Sequence, residues 1–163
     1  MKASELDWDE IPNFAPDEWP DGVLSHMSGE LVLCAQEVRA HTGPLYPSPV
    51  PGAHVRESGT SRHSTDGGQR LSDATDLFLS WRHVSDAVAE ALAHPGIHGV
   101  GLYDAMRFRG SEPGDWAMLH LDTRPAHEAA CWLGEGREPV RYTTVRPGEL
   151  MRRAIKLQAR RAT

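Results

Sequence analysis

The sequence predicts a single α+β domain in which a small antiparallel sheet packs with helices. The chain of 163 residues is long enough for one hydrophobic core, and 39% of its residues are hydrophobic. Segments with helical periodicity lie on both sides of a central group of strand-like segments. The formal net charge of −6 argues against nucleic acid as the main partner, because duplex binding requires a basic face.

Three helices are predicted. The chain divides into an N-terminal segment (1–22), a central domain (23–146) and a basic C-terminal helix (147–163). The N-terminal segment is acidic, and we expect Phe14 and Trp19 to anchor it to the domain. Apolar residues then recur at helical spacing from Val23 until Thr42-Gly43-Pro44 ends the pattern. The apolar positions of the second helix are Val84, Val88, Ala91 and Leu92.

Strands are predicted over 97–103, 117–122 and 140–145. Alternation in the second of them places Met118, His120 and Asp122 on one face and three apolar residues on the other. The long Pro- and Gly-rich stretch 44–70 has the composition of a functional loop. In the polar loop 104–116, Phe108 and Trp116 are candidates to line a substrate groove.

The two cysteines, Cys34 and Cys131, are too few for a disulfide framework or a cysteine zinc site, and we expect both to be buried hydrophobic residues. No run of residues reaches the apolar length of a membrane span, and residues 1–8 lack the apolar core of a signal peptide. We therefore expect cytoplasmic synthesis without a signal peptide and no membrane insertion.

Three short motifs combine the side chains that a catalytic zinc ion requires. They are Ser61-Arg62-His63, Ala74-Thr75-Asp76 and His120-Leu121-Asp122, which supply imidazole, carboxylate and imidazole. Zinc in hydrolases takes three such ligands and leaves one position for water. An adjacent carboxylate is suited to accept the proton of that water. Six other histidines are expected to have structural roles, and His54, in the long loop, is undecided.

In order and joint presence these motifs resemble the zinc D-alanyl-D-alanine carboxypeptidase and murein endopeptidase family, which shares its fold with the hedgehog signalling domain. Gly99-Val100-Gly101-Leu102-Tyr103 before the last motif, Phe14-Ala15-Pro16-Asp17-Glu18-Trp19 near the start and Trp132 after the last motif extend the resemblance over about residues 13–145. The family separates its first two ligands by seven positions, whereas His63 and Asp76 are thirteen apart. This departure resembles an insertion in phage-borne members.

The resemblance implies that His63, Asp76 and His120 bind Zn²⁺ and that Arg56 and Ser61 contact the substrate. An arginine is suited to this task because its guanidinium can bind a carboxylate through two hydrogen bonds. Relatives carry their general base shortly before the last ligand, where this chain has Ala117 and Met118. Asp122 is therefore the candidate base. An inverted assignment, with Asp122 as ligand and His120 as base, stays open, and Asp66 and Asp73 are rival carboxylates to Asp76.

The resemblance implies a zinc peptidase that cleaves peptide bonds in bacterial peptidoglycan, either as an endopeptidase or as a D,D-carboxypeptidase. Without a signal peptide, such an enzyme is expected in a phage virion, in contact with tail or baseplate proteins, or released at lysis. One alternative is a non-catalytic virion structural or assembly subunit with the same fold. Another is a peptidase for a cytoplasmic dipeptide, which the sequence does not separate from a wall enzyme.

Overall fold

The computed structural model describes residues 1–112, 114–136 and 140–161 of the chain. In this part of the chain three α-helices and six strands form one α+β domain. The helices are α1 (Gly29–Thr42), α2 (Val84–Ala93) and α3 (Pro147–Arg161). The strands are β1 (Tyr46–Pro47), β2 (Ala74–Leu79), β3 (Gly99–Met106), β4 (Trp116–Asp122), β5 (Ala130–Glu135) and β6 (Arg141–Val145). The last two residues of the predicted C-terminal segment lie outside the described residues.

The sheet is mixed, which corrects the prediction of an antiparallel one. Its strand order is β1-β2-β4-β3-β5-β6, and every neighbouring pair is antiparallel except β3 and β5. β5 follows β4 in the chain, runs in the opposite direction to it, and pairs with the far edge of β3. Because β3 is itself antiparallel to β4, β5 lies parallel to β3.

The two faces of the sheet have different roles. Alternate residues of β4, namely Ala117, Leu119 and Leu121, enter the main hydrophobic core together with the helices. Their neighbours Met118, His120 and Asp122 lie on the opposite face, as the predicted alternation requires. The helices thus cover one face, and chemistry-bearing side chains occupy the other.

The first helix begins later than the periodicity predicts. Val23–Ser25 forms a 3-10 turn, Met27 forms a bridge with Ser72, and α1 starts only at Gly29. The backbone N–H of Ser28 donates to the carbonyl of Ser72. The apolar residues before Gly29 are buried through this pairing with a distant segment, which a helical spacing pattern cannot distinguish from helix.

Two strands that matter for the site, β2 and β5, were not predicted. All six residues of β2 are buried, so its sequence lacks the alternation typical of a strand with one exposed face. The other expectations about the core are confirmed, because Phe14, Trp19, Cys34 and Cys131 are all buried. Among the described helices none has both the length and the apolar composition to span a membrane.

Candidate metal centre

Three side chains from distant parts of the chain meet on the open face of the sheet. His63 comes from the long loop between β1 and β2, and Asp76 and His120 are register partners on the paired strands β2 and β4. One candidate ligand atom from each of the three lies within 4.8 Å of the others, and all three residues are buried. Sequence analysis predicted this set, and the structure brings it together as a group that could hold a metal ion.

The distances in the group suit a small divalent cation. His120 Nδ1 lies 2.8 Å from Asp76 Oδ1, and His63 Nε2 lies 3.7 Å from the same oxygen. Tetrahedral zinc with ordinary bond lengths separates its ligand atoms by roughly 3.3–3.4 Å, so the observed separations lie on either side of this value. Two imidazoles and one carboxylate also form a donor set that zinc uses in hydrolases.

The ring of His63 has no hydrogen bond to either nitrogen within the part of the chain that the structure describes. Its Nδ1 is buried and unpaired, although buried polar atoms normally have a partner. His54 makes the opposite case, because its Nε2 donates to the Ser48 carbonyl and its Nδ1 bonds to the Thr75 hydroxyl, each at 2.8 Å. The undecided His54 is thus a satisfied core histidine. The Nε2 of His63, which lies 3.7 Å from Asp76 Oδ1, has no hydrogen bond among the described residues and is available to a metal ion. A metal ion on Nε2 would leave the buried Nδ1 without a partner.

His120 is held between two carboxylates. Its Nε2 donates to Asp122 Oδ2 at 3.1 Å, on the side of the ring opposite to Asp76. Asp122 is fully buried and also accepts from Arg124, whose Nε lies 2.7 Å from Oδ1. Metal-binding histidines commonly donate their second ring N–H to such a carboxylate, which fixes the ring and its tautomer. The contacts of Asp122 are those of an orienting group, and its assignment as the general base stays a prediction.

The charges of the group are strongly coupled. Burial opposes a charge on His120, yet its hydrogen bonds to Asp122 and Asp76 raise the pKa of the imidazole to about 9. Burial likewise opposes ionisation of Asp122, but Arg124 and then His120 hold the pKa of that carboxyl below its ordinary value. Burial lowers the pKa of His63 to about 4, so His63 is neutral at physiological pH. In the metal-free protein the two carboxylates are therefore paired with protonated His120 and with Arg124.

Three glycines make room for the side chains around the centre. A Cβ at Gly99 would overlap the Asp122 carboxylate, and a Cβ at Gly101 would overlap the Trp132 ring. A Cβ at the third glycine, Gly134, would overlap the ring of Tyr103. Glycine is required at these places because side chains of neighbouring strands lie flat across them. This function of the Gly-x-Gly segment is visible only once the strand register is known.

The centre opens into a cavity of about 1060 Å³ on the same face of the sheet. His63, Asp76 and His120 all line it, as do both predicted substrate-binding residues, Arg56 and Ser61. Arg56 is exposed, and its Nε donates to the Gly52 carbonyl. Ser61 is half-buried, and its hydroxyl accepts the backbone N–H of His63 at 3.3 Å. Their contacts with a substrate remain predictions.

The rival carboxylates are paired with arginines. Asp66 is exposed and pairs with Arg70, and Asp73 pairs with Arg62 at 3.3 Å. Neither belongs to the His63, Asp76 and His120 group. The choice of Asp76 over its rivals therefore agrees with the geometry.

The aromatic residues expected at the groove are placed differently. Phe108 is buried and stacks on Phe78 with ring centroids 4.7 Å apart, and Trp116 packs edge-on against Phe108. Phe108 and Trp116 belong to a second, smaller hydrophobic cluster. Phe78 and Met106 of this cluster line the cavity, and so does the neighbouring Arg107. Phe108 and Trp116 thus support the wall of the cavity from behind.

Sequence analysis missed the contribution of Arg124 and Trp132 to the centre. The Trp132 ring lies 4.8 Å from the His120 ring, and the Arg124 guanidinium lies 5.5 Å from the Trp132 ring. Arg124 follows the His-x-Asp motif by two residues, so its closeness to Asp122 was a signal available in the sequence. The contact of Trp132 with His120 depends on the parallel pairing of β3 and β5.

Comparison of this chain with known proteins finds no matching family model, no matching curated protein and no matching solved structure.

Proposed function

We propose that this protein is a zinc-dependent peptidase that cleaves peptide bonds in bacterial peptidoglycan. The observation that carries the proposal is the meeting of His63, Asp76 and His120 at an open cavity, where the Nε2 of His63 has no hydrogen bond within the described residues. The motif resemblance to the zinc D-alanyl-D-alanine carboxypeptidases and murein endopeptidases supports the choice of substrate. Peptide hydrolysis fits this donor set, because it leaves a coordination position for water.

When bound, zinc supplies Lewis acidity and lowers the pKa of a coordinated water toward about 7. The chain contributes the positions of the ligands. Asp122 holds the proton on His120 Nε2 and so leaves Nδ1 free to bind the metal. Arg124 keeps Asp122 ionised, and the hydrophobic contacts of Trp132 limit the movement of the His120 ring.

The cavity suits an extended peptide that carries a carboxylate. Arg56 presents an exposed guanidinium at the wall of the cavity, where a fork of N–H donors can bind a carboxylate in two places. Ser61 lies beside His63 on the same wall and offers a hydroxyl. Stem peptides of peptidoglycan carry free carboxylates close to their cleavable bonds, which agrees with this arrangement.

A phage virion or a lysis pathway is the setting that the resemblance favours, with tail or baseplate proteins as partners. The support for this part of the proposal is the thirteen-residue separation of His63 and Asp76, which resembles phage-borne members of the family. The alternative is a non-catalytic virion subunit in which the metal only stabilises the fold. The peptidase and the non-catalytic subunit are distinguished by whether the zinc-loaded protein cleaves peptidoglycan fragments.

The decisive experiment incubates the purified protein with peptidoglycan fragments and identifies the products by mass spectrometry. Three conditions are compared: protein as isolated, protein with a chelator, and protein with the chelator removed and zinc added. We expect loss of an amino acid or of a cross-link that stops with the chelator and returns with zinc. His63→Ala should be inactive under all conditions, whereas His41→Ala, at an exposed histidine of α1, should match the wild type. A folded, zinc-loaded protein that cleaves nothing would favour the non-catalytic subunit.

A further inference from the structure

We propose that Tyr103 is a catalytic residue whose hydroxyl donates a hydrogen bond to the carbonyl oxygen of the scissile bond as negative charge develops there. The inference rests on the proposed peptidase function and deepens it. Tyr103 lines the same cavity as His63, Asp76 and His120. It lies on β3, the strand next to β4, two residues beyond Gly101, the register partner of His120.

The hydrogen bonds of the hydroxyl leave its proton free. Trp132 Nε1 lies 3.1 Å from the Tyr103 oxygen. An indole nitrogen is only a donor, so the phenol oxygen must be the acceptor in this bond. Its own proton then needs another acceptor, and none is present among the described residues. Because Tyr103 lines the cavity, a substrate oxygen is the natural acceptor.

The phenol is also held in a fixed position. Its ring lies over Gly134, where any side chain would overlap it. The Trp132 ring that donates to it lies over Gly101 and packs against the His120 ring. Tyr103 is therefore joined through one indole ring to a residue of the metal centre. Donors fixed in this way stabilise a developing charge without having to reorganise.

The surroundings keep this group a donor. Burial, and then the negative charge of Asp76, raise the pKa of the Tyr103 phenol above its ordinary value. The hydroxyl is therefore protonated throughout the pH range in which the peptidase would work.

The chemical step balances without any change in Tyr103. The water oxygen forms a bond to the carbonyl carbon, and the π electrons of the carbonyl move onto its oxygen. The Tyr103 O–H donates to that oxygen but keeps its proton. The carbon–nitrogen bond then breaks, the carbonyl re-forms, and the leaving nitrogen takes up the proton that the water has lost.

The test compares two uncleavable peptide analogues on zinc-loaded protein by calorimetry. One is a phosphinate analogue of D-alanyl-D-alanine, in which a tetrahedral phosphorus bearing anionic oxygens replaces the scissile carbonyl. The other is the reduced analogue with a methylene group in that place, which has no oxygen to accept a hydrogen bond. The variant is Tyr103→Phe, which removes only the hydroxyl. Tyr46→Phe, in the aromatic cluster behind the cavity wall, is the matched control.

We expect Tyr103→Phe to bind the phosphinate at least 10-fold more weakly, and to lose kcat on the order of 100-fold, while its zinc content and its affinity for the reduced analogue match the wild type. Tyr46→Phe should match the wild type in every measurement. Unchanged phosphinate affinity in Tyr103→Phe would overturn the inference and leave the peptidase proposal standing. Equal losses for both analogues would also overturn it, because they would indicate a structural role. A zinc-loaded wild type that binds no phosphinate would overturn the inference, and the peptidase proposal is decided separately by the product analysis of the peptidoglycan fragments.

Discussion

His120 and Asp122 lie on the same face of β4, and the Nε2 of His120 donates to the Oδ2 of Asp122 at 3.1 Å. The other ring nitrogen of His120 faces Asp76 at 2.8 Å. In the metal-free protein both nitrogens therefore carry protons, since an ionised carboxylate can only accept. A metal ion bound to Nδ1 would take the place of that proton and would leave the bond to Asp122 intact.

Asp122→Asn should weaken zinc binding about 10- to 100-fold, the usual effect of removing an orienting carboxylate. The amide has the same size but no charge, so it holds the His120 proton less firmly. Zinc affinity measured by competition with a chromogenic chelator checks this expectation. Full zinc affinity combined with lost turnover would instead assign Asp122 the role of general base that the sequence predicts.

Gly99→Ala should also weaken zinc binding, although Gly99 touches no ligand. The new methyl group would overlap the Asp122 carboxylate and push it away from His120. Gly148→Ala is the matched control, because a Cβ at this exposed position in the first turn of α3 meets no atom closer than 4.0 Å. Equal zinc affinities in the two variants would contradict the proposed role of Gly99.

His54→Ala and His63→Ala should differ in how much stability each loses in the absence and in the presence of zinc. His54 makes two buried hydrogen bonds, so its loss should cost about 2–4 kcal/mol with or without zinc. The ring of His63 makes none among the described residues, so its loss should cost little without metal and should abolish the stabilisation that zinc gives the wild type. Thermal unfolding of both variants with zinc and with a chelator provides the measurement. An undiminished effect of zinc on the unfolding temperature of His63→Ala would show that His63 is not a ligand.

The stability that His120 gives to metal-free protein should disappear at alkaline pH. The pKa of His120 is raised to about 9 in the folded protein, against about 6.5 in an unfolded chain. Because the folded state binds the proton more tightly, this contribution is fully present below about pH 6.5 and is lost as the pH rises through about 9. Urea unfolding of chelator-treated wild type and His120→Gln should show a stability difference that shrinks over this range. A difference that grows with pH would contradict the arrangement of charges.

Much of the candidate site could be predicted because it depends on local patterns. The alternation of β4 places His120 and Asp122 together without tertiary information. The choice of His63 and Asp76 came instead from the resemblance of their motifs to a known family. The bounds of α2 and the start of α3 follow from apolar periodicity and from Pro147. These features involve residues that are close in the chain, where spacing and backbone geometry are sufficient.

The sequence by itself therefore determined an α+β chain with an imidazole–carboxylate–imidazole set, and tertiary structure decided how that set is held. The late start of α1 depends on pairing with Ser72, and the mixed sheet depends on β5 crossing to the far side of β3. The difference between His54 and His63 depends on hydrogen bonds to Ser48 and Thr75 that one ring has and the other lacks. Each of these contacts joins elements that are distant in the chain, and no local pattern encodes which strand will lie beside which.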